Sequence, residues 1–479
     1  MYASWESSGQ PDIAVLRQLV HSDGGFYLRL SIPKQFGGLG LTDWRYHAVI
    51  TEELENSDIG SFFLNLGNDM VLSYFTKSAT PAQQARWLPK IVKEGSVIAI
   101  AMSEPELGSD LATLATTAKR TPEGWVLNGR KMWISAGATA DIVVISAVTD
   151  ASKGSKGISL FAVEKGTEGF ESAKRFAKLG KHASDTCLLT LENVKVPLDN
   201  LLGLEGEGFK YMMSNLSKER LSIAVGSAAA ARRALALTLN YVHGREMFGG
   251  VLANMQSVQQ KLAALRTEIQ LTTTFVDSCI TAQSENTLSA ETASMAKVAA
   301  TELANRVADS CLQMFGGYGY LKNNPVGKIF VDQRVTKICQ QTSNREHDGA
   351  HTRTRRQSSV GGAHRSLWSS GSHACSSVCF LCVLCASRWR CERGVAGGDR
   401  QGARIQAAAH VQGEAVSSAG SCAWAARRTL CAAHALLFEL VTLPLFASRS
   451  AHCGAVDSST FKTLPRTQIY CGRLQLELS

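Results

Sequence analysis

Apolar positions change period twice along this chain. Over residues 12–94 they recur at three and four spacing, so Ile13–Val20, Trp44–Leu54, Ile59–Tyr74 and Pro81–Val92 each read as a helix with one apolar stripe. The Gly-rich connection Ile32–Leu41 has no Lys-Ser/Thr pair after it and no strand-turn-helix frame around it, and reads as a structural loop, not a phosphate cradle. From 97 to about 200 the runs shorten: Val97–Ala101, Trp125–Ile134, Ile142–Val148, Gly157–Val163 and Thr186–Val196 read as strands separated by polar turns. The Asn128-Gly129 pair between alternating residues predicts a hairpin turn there. Long helical periods return at Phe209–His243, Ser257–Gln283 and Ser289–Phe315, with a shorter one over Gly319–Val335.

These elements predict an α+β multidomain chain. An all-helical domain spans 1–96, an antiparallel β-barrel or sandwich spans 97–204, and a helical bundle spans 205–344. At 479 residues the chain is long enough to bury a large core and to form two or three domains.

Charge and cysteine separate the last part of the chain from the rest. Residues 345–479 carry 15 Arg and one Lys against eight acidic residues, which leaves only +1 of the formal +9 for the first 344. The main body is therefore near neutral and offers nothing for nucleic acid. Nine of the 13 cysteines also fall after 345; Cys187, Cys279, Cys311 and Cys339 are scattered and read as reduced core thiols. From Arg345 the sequence becomes a Ser, Ala, Arg and Cys mixture with little helical period, expected to be of low order and to arise from a changed reading frame or splice near residue 344. The cluster Cys375, Cys379, Cys382, Cys385 and Cys391 has apolar spacers and no second pair at zinc-finger spacing, so no metal is expected.

The longest apolar stretch, Ala435–Ala447, is short and contains Glu439, so no transmembrane span is expected. Met1–Ser8 has neither the Arg-rich pattern of a transit peptide nor the apolar core of a secretory signal, which points to the cytoplasm or to a missing start.

The densest chemistry lies at 101–135. A polar loop, Ala-Met-Ser-Glu-Pro-Glu-Leu-Gly-Ser-Asp, follows the apolar run, and Lys131-Met-Trp-Ile-Ser135 comes one hairpin later. Backbone amides with the Ser103 and Ser135 hydroxyls suit the polar edge of a flat redox ring, and Trp133 suits its face. Together these motifs closely resemble the flavin bed of the acyl-CoA dehydrogenase family, whose helical, β, helical order the chain also follows.

The resemblance implies FAD as cofactor, with Met102, Ser103, Ser109, Trp133 and Ser135 holding it, and Ser109 also near acyl-CoA. It further implies that Arg245, Phe248 and Gln256, with Gln313, Gly316, Gly317 and Thr342, meet the pyrophosphate and adenosine side across a subunit interface. An Arg there offers a fixed cationic fork to pyrophosphate oxygens. In most of the family the base is a Glu near the carboxyl end, but Gln340 occupies that place and an amide takes up no proton near neutral pH. The isovaleryl and long-chain branches carry the base on the long helix directly before an Arg, which here is Glu219 before Arg220. A dry pocket should raise its pKa towards working pH. Arg220 is expected near the CoA or acyl group and Leu216 along the pocket wall, while Ser217 stands where an Asp is common. The Ala-rich Val225–Ala234 suggests room for the acyl chain.

The activity so implied is α,β-desaturation of an acyl-CoA, with electrons passed to an electron-transfer flavoprotein by a homotetramer or homodimer. The mitochondrial matrix is implied for a eukaryotic source and the cytoplasm for a bacterial one. Two alternatives stand beside it: a catalytically silent remnant lacking the final helix after 344, and an acyl-CoA oxidase that uses oxygen.

Overall fold

The computed structural model describes residues 2–21, 29–60 and 66–339. Gln340, Thr342 and the tail with its cysteine cluster lie outside the described residues.

The amino-terminal part is helical: α1 (Tyr2–Ser8), α2 (Ile13–His21), α3 (Arg45–Asn56) and α4 (Pro81–Pro89). Thr80 starts α4 with a reciprocal cap, its hydroxyl accepting from Gln83 N while Gln83 Oε1 accepts from Thr80 N, and Pro81 fills the first helical position. Between α3 and α4, Leu66–Val71 and Tyr74–Ser78 wind in wider π-type turns. The Ile32–Leu41 loop folds back on itself through Gly40 N to Ile32 O and Leu41 N to Leu30 O bonds. A Cβ at Gly38 would lie 2.0 Å from Ile32 O, which accounts for glycine there without any ligand.

Eight strands follow: β1 (Ile98–Ala101), β2 (Thr117–Thr121), β3 (Gly124–Ser135), β4 (Ile142–Val148), β5 (Ile158–Glu164), β6 (Phe170–Arg175), β7 (Thr186–Val196) and β8 (Leu201–Leu202). They form one sheet in the order β6-β7-β3-β2-β4-β5-β8, with β1 beside β4. The sheet is mixed and not wholly antiparallel, because β1 and β2 both run parallel to β4. The short apolar runs of β4 and β5 are buried on both faces. One face carries Trp125, Val143, Ile145 and Phe161 into the sheet's own core, with Trp125 and Phe161 edge to face at 5.2 Å. The other lays Ile142, Val144 and Leu160 against Tyr74, Phe75 and Trp87 of the amino-terminal helices.

Asn128-Gly129 does not turn the chain. The β2–β3 turn is Pro122-Glu123, with Thr121 paired to Gly124, and β3 runs on through 128–129 with a shift in its pairing to β7. Gly129 has φ +152, and a Cβ on it would meet Thr116 Oγ1 at 2.5 Å; glycine serves a bulge there.

The bundle consists of α5 (Gly208–Gly244), α6 (Gln256–Ser284), α7 (Ala290–Phe315) and α8 (Pro325–Arg334). The helix expected over Gly319–Val335 starts only at Pro325, where Asn324 caps Val326 N and Gly327 N, because Gly316–Tyr320 takes a tighter 3-10 turn. Alanines 224, 228–231 and 234 of α5 are buried, as are alanines 293, 296, 300, 304 and 308 of α7. Ala224 and Ala228 share a cluster with Ala296 and Ala300, and Ala230, Ala231 and Ala234 share one with Ala304 and Ala308. Much of the alanine run therefore makes a seam between α5 and α7. Ala300→Leu is expected to lower stability by about 1–3 kcal/mol through overpacking of that seam, read by denaturant unfolding. Cys187, Cys279 and Cys311 are buried free thiols, whereas Cys339 is exposed, against the expectation of a core position. Among the described residues no helix is long and apolar enough to cross a membrane.

Candidate active site

Glu219 sits on α5 at 1 % exposure, so the charged surface residue that its type suggests is in fact buried. Burial pushes its carboxyl up to about 7, against the lowering effect of the Tyr74 hydroxyl and of the Lys218 and Arg220 charges. Tyr74 Oη donates to Glu219 Oε1 at 3.4 Å. Arg220 points elsewhere, its Nη1 donating to Ser294 Oγ of α7 at 2.7 Å, and Leu216 is half-buried on the preceding turn. A buried carboxyl that is half ionised near neutral pH can take up a proton under working conditions.

The loop of 102–116 reaches the core beside this stretch of α5 through Met102 and is tied to the end of β3. Met102 packs in the same apolar cluster as Tyr74, Met212 and Met213. Met132 N donates to Ser103 O at 2.9 Å, which fixes the loop to β3. Ser103, Ser109 and Ser135 are all half-buried. Trp133 is 58 % exposed with φ +64, at a shift in β3–β7 pairing, and packs on Phe176 at 4.8 Å. An aromatic held in the left-handed region on a bulge is a costly placement for a bulky residue, and such positions cluster at functional sites.

Two further groups hold this loop, and neither was singled out from sequence. Lys131 is fully buried, its Nζ donating to Glu104 Oε1 at 2.8 Å and to Met102 O and Ser146 Oγ at 3.2 Å. Glu104 in turn accepts from Ala115 N and Thr116 N. Burial pulls Lys131 down to about 8, while the Lys131 charge and these donors hold Glu104 below the usual carboxylate range. Asp185 does the same for the turn after β3, accepting from Ala138 N and Thr139 Oγ1.

A second group lies at the far end of α5. Arg245, Gln313, Gly316 and Gly317 line one cleft of about 800 Å³, together with Tyr318 and Lys261. Tyr241 and Phe315 stack at 4.1 Å in its wall, and the Arg245 guanidinium lies 5.7 Å from the Tyr318 ring centre. Phe248 is exposed at φ +51 on the tight turn between strands β9 (Glu246–Met247) and β10 (Gly250–Val251), and Gln256 is exposed at the start of α6. Neither lines the cleft. Twenty-six residues separate Glu219 from Arg245 along α5, about 39 Å at 1.5 Å per residue. Among the candidate residues, Met102 thus shares a core with Tyr74, the partner of Glu219, while Arg245, Gln313, Gly316 and Gly317 share a cleft at the far end of α5.

Three family models match in chain order: the N-terminal domain of acyl-CoA dehydrogenase over residues 2–95, the middle domain over 99–194 and the C-terminal domain over 206–347. The long-chain specific acyl-CoA dehydrogenase of Rattus norvegicus mitochondria is 40% identical over 340 residues, covering 70% of this chain and 78% of that protein. The mitochondrial isovaleryl-CoA dehydrogenase of Oryza sativa subsp. japonica is 37% identical over 323 residues, covering 67% of this chain and 78% of that protein. An acyl-CoA dehydrogenase from Geobacillus kaustophilus matches in structure with a TM-score of 0.71 and 37% identity, over 74% of this chain and 92% of that one. With its helices, mixed sheet and helical bundle in the order of those three models, the chain belongs to the acyl-CoA dehydrogenase family.

Proposed function

We propose that the protein is an FAD-dependent acyl-CoA dehydrogenase of the long-chain or isovaleryl type, with Glu219 as the base that removes the α proton. The observation that carries this reading is the carboxyl of Glu219, fully buried on α5, raised to about 7 and bonded to Tyr74, which shares a core with Met102, Leu111 and Leu114 of the 102–116 loop. A base poised there is deprotonated often enough to act and basic enough to accept an activated α proton.

The residues present fit a flavin. Trp133 offers an exposed aromatic face, Ser103, Ser109 and Ser135 offer half-buried hydroxyls, and the Lys131–Glu104 pair keeps the loop that carries Met102 in place. When bound, the flavin supplies the acceptor for the hydride that leaves the β carbon. Glu219 would receive the α proton on a carboxylate oxygen buried away from water, and half-buried Leu216 on the preceding turn would line the approach to the acyl-CoA, while Arg220 is held on Ser294 of α7. Arg245, with Phe248, Gln256, Gln313, Gly316 and Gly317, would hold the pyrophosphate and adenosine side of a cofactor whose ring lies on a neighbouring copy, which accounts for the separation of the two groups along α5. A homodimer or homotetramer follows, with an electron-transfer flavoprotein as acceptor and, by likeness to relatives named as mitochondrial, the matrix as location.

Purified protein is expected to be yellow and to bleach on addition of an acyl-CoA, reducing an electron carrier and releasing little peroxide. A colourless product, or peroxide release without carrier reduction, would sink this reading. Arg245→Ala is expected to weaken FAD affinity about 10- to 100-fold, the loss of one charge-assisted fork, in a titration of apoprotein with FAD. Unchanged affinity would remove Arg245 from the cofactor site.

A further inference from the structure

The wide-turned stretch 66–78 sends two polar side chains to α5, and the chemistry above uses neither. Asp69 is buried; its Oδ2 accepts from Ser222 Oγ at 2.7 Å and its Oδ1 lies 2.6 Å from His47 Nδ1 of α3, with Trp44 stacked on that imidazole. Tyr74 is also buried, and its phenol meets two α5 residues, Glu219 and Asn215. Asn215, Glu219 and Ser222 are spaced by four and three, so they form one line along a single face of α5. Turns of i→i+5 hydrogen bonding recur at functional sites. Here they carry Asp69 and Tyr74, five residues apart, to adjacent points on that line.

We propose that Tyr74 is a positioning residue for Glu219: its phenol accepts from the Asn215 amide and donates to Glu219 Oε1, orienting the carboxylate and favouring its ionised form, while Asp69 and Ser222 fix the register of the two helices. The inference rests on Glu219 being the base. The charged and titratable groups around it all enter the balance. Tyr74 approaches from the 66–78 stretch, with Asp69 and Lys77 of that stretch acting on Lys218; His47 of α3 stands behind Asp69; Lys218 and Arg220 flank Glu219 on α5; and Arg220 is bonded to Ser294 of α7. Of these, only Tyr74 bonds the carboxylate itself across helices. A donor lost from a carboxylate leaves burial less opposed, so the acid form persists to higher pH.

The test is the titration of Glu219 in the full chain, followed by difference infrared spectroscopy of the carboxyl stretch with the Glu219→Gln protein as the blank. Tyr74→Phe is expected to move the midpoint up by about half to one pH unit. Asn215→Leu, which leaves the phenol in place but removes the amide that strengthens it as a donor, is expected to move it the same way by less, and serves if the Tyr74 variant fails to fold. A midpoint unchanged in both variants overturns the proposal. A parent protein that is never reduced by any acyl-CoA would instead overturn the reading of its function, and the titration would still report on Tyr74.

Discussion

Glu219→Gln is expected to slow flavin reduction by acyl-CoA at least about a thousandfold, with FAD retained, because it removes the proton acceptor without changing the shape of the side chain. The same substitution is expected to stabilise the fold at alkaline pH. Glu219 has a folded pKa of about 7 against a reference value of 4.5, so between those values the folded state holds a proton that the unfolded state has released. Stability therefore falls as pH rises through that window, and above pH 7 the buried charge costs about 3 kcal/mol, at 1.36 kcal/mol per unit. Gln cannot ionise and escapes this loss. Denaturant unfolding of parent and variant at pH 5 and pH 8 should give similar stabilities at the lower pH and a gap at the higher. A variant that keeps its reduction rate, or that shows no gap at pH 8, would remove Glu219 from the role.

Lys131→Met should have the largest effect on folding. It deletes one partner of a fully buried ion pair and leaves Glu104 charged between β3 and the loop. Breaking such a pair from one side costs about 3–5 kcal/mol, because the remaining charge is desolvated without compensation. The loop carrying Met102, Ser103 and Ser109 loses its anchor, so flavin content should fall along with stability. Lys131→Met combined with Glu104→Gln should recover part of the stability, since the neutral amide removes the uncompensated buried charge and its single oxygen still accepts from one of Ala115 N and Thr116 N, which bond different oxygens of the carboxylate. A single variant as stable as the parent would show the pair to be dispensable.

The sequence disclosed elements wherever periodicity and local chemistry coincide. The three long helices of the bundle were legible from their 3.6 period, as was α4 from Pro81 on. Asn128-Gly129 misled because an Asn-Gly pair fits a bulge as well as a turn; Pro122-Glu123 made the turn, and Thr116 packed against Gly129 decided the outcome. The alanines of α5 were open to two readings, since small residues permit close approach by a helix as readily as by a ligand, and α7 packs against them. In the candidate site, Glu219 was legible only through the register of Lys-Glu-Arg-Leu beside a Gln at 340; its burial was not, because that depends on Tyr74, 145 residues away. Lys131 and Glu104 are the kind of residues expected at a surface, and nothing along the chain signals that 27 residues apart they bury each other.

The alanine seam between α5 and α7 also bears on the entropy of the helix that carries Glu219. Alanine has no rotamers to lose, so the seam forms without the side-chain ordering that a leucine seam would require, and once formed it has no alternative rotamers to visit. The seam itself is thereby left without side-chain rotamer motion, and the backbone amides across residues 224–234 should exchange with solvent only when the whole bundle opens. The carboxyl of Glu219, just before the seam on the same helix, is thus anchored to the bundle by side chains that make no polar contact at all.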